Sequence, residues 1–93
     1  MEKKTEGLFA ISKAGHDKGN LYVVVREEKD YVYVSDGKQK LLENPKKKNK
    51  KHIQIINKKA IETIAEDSQV KIEALTQNEQ IKRAIKLYRK DWR

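Results

Sequence analysis

Apolar and polar positions alternate with period two in the front of the chain and recur with a helical period in the rear. Gly7-Leu-Phe-Ala-Ile-Ser12 reads as a strand with Phe9 and Ile11 on one face. A charged glycine loop, Lys13 to Gly19, follows. Leu21-Tyr-Val-Val-Val25 is then continuously apolar and β-branched, the pattern of a central strand, before the charged turn Arg26-Glu-Glu-Lys-Asp30. Asp30-Tyr-Val-Tyr-Val-Ser35 alternates two aromatics with two valines, and valines in the core leave Tyr31 and Tyr33 at the surface. Asp36-Gly37 suits a type I′ hairpin turn, which predicts that Lys38-Gln-Lys-Leu-Leu-Glu43 pairs back as a strand and stops at Asn44-Pro45. The lysine run that follows reads as a loop, and His52-Ile-Gln-Ile-Ile56 as a last strand. Five short strands predict a small antiparallel barrel, because closure removes exposed edges.

In the rear part, Asn57 is placed to cap a short helix, Lys58 to Ala65, with Ile61, Ile64 and Ala65 on one face. Thr76-Gln-Asn-Glu79 matches the reciprocal capping box. Ile81, Ala84, Ile85, Tyr88 and Trp92 then form one helical stripe, which is expected to pack on the barrel or on the first helix. Lys82, Arg83, Lys86, Arg89 and Lys90 fall on the other sides. The expected fold class is mainly β with α: a five-stranded antiparallel barrel over residues 1–57, and a C-terminal helical extension over 58–93 packed on or beside it.

A chain of 93 residues suits one small domain, or a smaller domain with an appendage. Its net charge of +8 is unevenly placed. Residues 46–51 hold five lysines and no acid, and residues 82–93 hold six Lys or Arg against one Asp, so these segments carry +10 and the remainder −2. A basic excess confined to two short segments points to a polyanion partner. The chain has no cysteine, which removes disulfides and thiolate metal sites and suits a reducing compartment. No run approaches the roughly 20 apolar residues of a membrane span, and Met1 to Gly7 lacks the apolar core of a signal peptide, so a cytoplasmic protein is expected. His16 and His52 stand on different loops with neither a nucleophile nor clustered ligands, which leaves no enzyme, cofactor or metal site to expect.

Gly15-His-Asp-Lys-Gly19, between two strands, resembles the KOW motif, the signature of a five-stranded Src-homology-3-like barrel in ribosomal proteins and transcription elongation factors. Gly15, Asp17 and Gly19 match its Gly-x-Asp-x-Gly loop, and Val23 to Val25 match its Val-rich exit strand. The order of barrel, Asp-Gly turn, proline, basic run and His-apolar-x-apolar over residues 7–56 is similar to the large-subunit ribosomal protein family fourteen-e and its short bacterial KOW-domain relatives. That resemblance implies RNA binding in the translation machinery and brings no catalytic residue. The helical tail is only broadly similar.

The glycine loop has a structural purpose, since Gly15 and Gly19 permit the positive φ of a sharp turn, and Asp17 reads as a turn former. The same loop bares N–H groups between Lys13 and Lys18, and His16 can stack on a base or bond a phosphate. The main RNA contacts are expected from Lys46, Lys47, Lys48, Lys50 and Lys51, a block whose self-repulsion a polyanion would relieve. His52, Lys38, Lys40, Arg83, Lys86, Arg89 and Lys90 complete the candidate surface, and Tyr22, Tyr31 and Tyr33 are possible stacking rings. The expected function is a non-catalytic RNA-binding protein contacting ribosomal RNA, with ribosomal proteins as further partners and neither membrane nor small-molecule substrate. The alternative is a protein-interaction barrel of a transcription or translation factor.

Overall fold

Phe9 and Ala10 are consecutive in one strand and both fully buried, so both faces of the sheet are covered. The computed structural model describes residues 4–68 and 71–91. Its strands are β1 (Leu8–Ser12), β2 (Leu21–Glu27), β3 (Tyr31–Ser35), β4 (Lys46–Asn49) and β5 (Ile53–Lys59), with a 3-10 turn (Lys50–His52) between the last two. Helix α1 (Ala60–Ala65), a second 3-10 turn (Ile72–Ala74) and helix α2 (Gln77–Asp91) follow. The fold is therefore mainly β with α, built on a five-stranded antiparallel sheet of order β4-β3-β2-β1-β5.

Each face of the sheet has its own core. Phe9, Leu21 and Val23 pack under Ala60, Ile64, Ile81, Ala84 and Ile85, so the helices cover that face. Ala10, Tyr22, Val24, Val32, Val34 and Ile53 form the other core, which is made of strand residues alone. Val32 and Val34 are fully buried there without a helix above them, which requires the sheet to fold over its own face. Chain geometry demands the same. In a flat sheet β4 and β5 would lie about 19 Å apart, four spacings of ~4.8 Å. Asn49 and Ile53 are only four residues apart along the chain, which reach at most about 14 Å. The sheet curls, yet no ladder joins β4 to β5 among the described residues, so it is not a hydrogen-bonded closed barrel. Two covered faces also explain why Leu21 to Val25 shows no alternation.

Several expected elements are moved. Residues 38–43 are not a strand. The Asp36 carboxylate accepts from the amides of Lys38, Gln39 and Lys40, each at 2.9 Å, which satisfies that backbone locally and withdraws it from any ladder. Leu42 instead packs against the helix-side core, its amide donating to Asn78 Oδ1 at 2.7 Å. The lysine run, expected as a loop, supplies β4 and pairs with β3 in the register Tyr31↔Asn49, Tyr33↔Lys47. Its period of two was invisible because lysine occupies both faces. Asn57 lies inside β5 and is not a cap; Lys59 precedes α1 without a side-chain cap, and the Ala60 amide is tied to the Gly7 carbonyl at 2.8 Å. That start turns Ala60, Thr63 and Ile64 inward and leaves Ile61 and Ala65 exposed, a different face from the expected one.

The capping box forms as expected. Glu79 N–H donates to Thr76 Oγ1 at 3.1 Å, and Thr76 N–H to Glu79 Oε1 at 2.8 Å. The α2 stripe of Ile81, Ala84, Ile85 and Tyr88 packs on the sheet and on α1, with Tyr88 against Phe9 at a ring separation of 4.6 Å. Trp92 lies outside the described residues. Gly37, at φ +71°, presses so closely on α2 that a Cβ there would collide with the Asn78 carbonyl and approach the Lys82 amide nitrogen to 2.9 Å.

Candidate nucleic-acid interface

The β1–β2 loop closes on β4 through one carboxylate. Gly15 and Gly19 take φ of +85° and +90°, and the turn they make sets Asp17 into the fold at 8% exposure. Asp17 Oδ1 accepts from Ser12 Oγ at 2.9 Å and Lys48 Nζ at 3.1 Å; Oδ2 accepts from Tyr22 Oη at 2.8 Å and Lys46 Nζ at 2.9 Å. Burial alone would push this carboxyl up, but the hydrogen bonds from Lys46, Ser12, Tyr22 and Lys48 outweigh it and hold it well below the usual carboxylate range. Burial, partly opposed by Asn20 and reinforced by Asp17, pushes the Tyr22 phenol up to about 12. Asp17 is thus the counter-ion of β4 rather than only a turn former, and Tyr22 is a buried part of its network, not a stacking surface.

This changes the charge of the lysine run. Lys46 and Lys48 share Asp17, and Lys50 Nζ meets Glu27 Oε2 at 3.0 Å. Hydrogen bonds from the Thr5 hydroxyl and amide, together with Lys50, lower the Glu27 carboxyl to about 2. Three of the five lysines expected to be uncompensated are therefore paired from within, to two carboxylates, which lowers the charge of the run from +5 to +3. Lys47 and Lys51 remain exposed, with His52 beside them. Four amides of the loop and its exit are also engaged: Lys13 N–H donates to the His52 carbonyl at 2.8 Å, and Lys18, Gly19 and Asn20 donate to Gly15, Ser12 and Asp17. Lys13, His16 and Lys18 keep exposed side chains.

A second concentration of charge is assembled from sequence-distant parts. Lys82, Lys86 and Arg89, spaced i, i+4, i+7 on α2, line a cleft of about 520 Å³ with Lys38, Gln39, Asp36, Asn20, Leu21 and Ile85. Asp36, the one acid in its lining, accepts from three backbone amides and keeps its charge, so four cations against one carboxylate give the cleft a net charge of +3. Lys40 is half-buried on the same loop; Arg83 and Lys90 lie farther round α2, with Arg83 facing Lys71 across a neighbouring depression. The structure thus lines one cleft with Lys38, Lys86 and Arg89, adds Lys82 to them, buries Lys48 and ties the half-buried Lys46 to Asp17. The i, i+4, i+7 spacing flags Lys82 in the sequence; nothing local marks its meeting with Lys38.

On the outer face of β2–β3–β4, a bulge between Val24 and Arg26 shifts the register and puts Arg26 opposite Tyr33. The Arg26 guanidinium carbon lies 5.5 Å from the Tyr33 ring centroid, and Lys47 Nζ 4.2 Å from that of Tyr31. Among the described residues no His, Asp and Glu cluster could hold a metal ion, and no helix is long and apolar enough to cross a membrane. No protein-family model matches the chain, and no curated protein matches it.

Proposed function

We propose that the protein is a non-catalytic RNA-binding protein of the translation machinery, built on a KOW-type Src-homology-3-like barrel. The barrel reading is supported by the five antiparallel strands, the curl that brings β4 and β5 together at the 3-10 turn, and the Gly15–Asp17–Gly19 loop between β1 and β2. The observation that carries RNA binding is the cleft that Lys38, Lys82, Lys86 and Arg89 line against a single acid, Asp36. Four cations on a concave surface meet phosphates by counterion release and position the backbone without reading bases. The exposed Lys13, His16, Lys18, Lys47, Lys51 and His52 extend the basic surface.

The test uses the cleft, because replacing Lys46 and Lys48 would leave Asp17 buried and unpaired and would report unfolding. Lys38→Gln, Lys82→Gln, Lys86→Gln and Arg89→Gln together should flatten log K against log salt by about 3 on single strands and about 3.6 on duplex. An unchanged slope, in a variant that melts like the parent, refutes the reading. Co-sedimentation with ribosomes at low salt tests the translational setting.

A protein-interaction barrel has one observation in its favour. Ile61 is 48% exposed and borders a cavity of about 440 Å³ lined also by Val23, Val25, Ile64 and Ile81. A partner recovered after nuclease treatment, and lost with Ile61→Glu, would favour that reading.

A further inference from the structure

We propose that the outer face of β3 and β4 is a stacking track for unpaired RNA bases, centred on Tyr31. Resting on the RNA-binding reading above, it names the class of RNA: a single-stranded segment rather than a duplex.

Tyr31 and Tyr33 project from the same face of β3, about 7 Å apart along the strand. That face is not under the helices, whose contacts are to Phe9, Leu21 and Val23 on β1 and β2. Tyr31 is 38% exposed, and Val32 and Val34 behind the pair are fully buried, so the rings stand on a rigid floor. The position of Lys47 4.2 Å from the Tyr31 centroid shows that the ring presents a face, not an edge, to an exposed cation. Arg26 stands over Tyr33 in the same way. A base can take the place of either cation on the ring, and the freed ammonium or guanidinium then has the phosphate of that nucleotide within reach.

The charge around Tyr31 selects this occupant. Lys29, Lys50 and Lys51 line a depression of about 360 Å³ with Tyr31, Asn49 and Asp30, and Lys47 lies above the ring. Asp30 is the one acid in that lining; Lys50 is paired with Glu27 at 3.0 Å and Glu28 with Arg26 at 3.3 Å, which leaves Lys29, Lys47 and Lys51 as the exposed cations around the ring. An aromatic face ringed by cations fits a nucleotide, whose base and phosphate need one of each. Duplex bases are stacked on one another and offer no free face, which excludes them from the rings.

The experiment compares a labelled single-stranded RNA of about twelve nucleotides, within the roughly 4–16 that small single-strand-binding domains cover, with the duplex of the same strand. Tyr31→Leu, which keeps bulk at an exposed site, should weaken single-strand binding about 5- to 150-fold and leave duplex affinity within about twofold. Tyr31→Phe, which keeps the ring, should retain single-strand affinity. Equal affinity of Tyr31→Leu and the parent for the single strand overturns the track, as does an equal loss on both RNAs. A parent that binds duplex but not single strand overturns the track alone. A parent that binds neither overturns the RNA reading and the track with it.

Discussion

Asp17→Asn should be among the most damaging single substitutions in this chain. The change removes the charge that faces Lys46 and Lys48 while keeping the side chain's size. Lys46 is 34% exposed and can turn its ammonium to water, but Lys48 is 9% exposed and is left buried without a counter-ion. Breaking a buried pair from one side costs about 3–5 kcal/mol, and the escape open to Lys46 favours the lower end, about 3 kcal/mol. A chain of 93 residues has a total stability of about 5–14 kcal/mol, so the loss is a large share of it. At about 4–8 °C per kcal/mol the melting temperature should fall by roughly 12–24 °C. Urea unfolding at neutral pH, followed by circular dichroism, should show a lower midpoint with an unchanged slope. Lys48→Met in the Asp17→Asn background removes the orphaned charge and should recover at least about 1 kcal/mol. A loss under about 1 kcal/mol for Asp17→Asn, or strict additivity in the cycle, would refute the assignment of Asp17 as the counter-ion of β4.

Acid should destabilise the fold through the same carboxyl and through Glu27. Both titrate lower when folded than their ordinary values of 3.8 and 4.5, so the unfolded chain takes up protons first as pH falls. Their stabilisation is complete above about pH 5, is lost between 4.5 and about 2 for Glu27, and for Asp17 is lost from just below 3.8 downward; urea midpoints against pH should fall over that window, less steeply in Asp17→Asn. Gly37→Ala should cost about 2–4 kcal/mol, from its positive φ and the collision with α2, and hydrogen exchange should show α2 protection falling first. Thr76→Ala should cost about 1 kcal/mol by removing the hydroxyl half of the capping box, read as a drop in melting temperature of several degrees.

Elements governed by neighbours in the chain were legible. The capping box at Thr76 and Glu79, the apolar stripe of α2 and the burial of Val32 and Val34 rest on spacings of two to four residues, which the sequence displays directly. The misread parts depend on a local side-chain capture that competes with a ladder, or on partners far along the chain. Residues 38–43 looked like a hairpin arm because Asp36-Gly37 suits a turn, but the Asp36 carboxylate and Asn78 captured their amides. The short helix turned a different face inward because Gly7 holds its first amide.

The candidate site divides in the same way. Composition and charge placement alone establish a basic, cysteine-free chain with a mainly β front, a basic amphipathic helix at the rear and a glycine loop between two strands. Only the tertiary structure decides which of those cations face solvent. A lysine's role depends on whether a carboxylate lies within about 3 Å of its ammonium, and Asp17 reaches Lys46 and Lys48 across 29 and 31 residues of chain. Folding therefore turns part of the lysine run into internal structure and leaves Lys38, Lys82, Lys86 and Arg89 as the converging charge, because the curl of the sheet and the packing of α2 set distances that no local pattern contains.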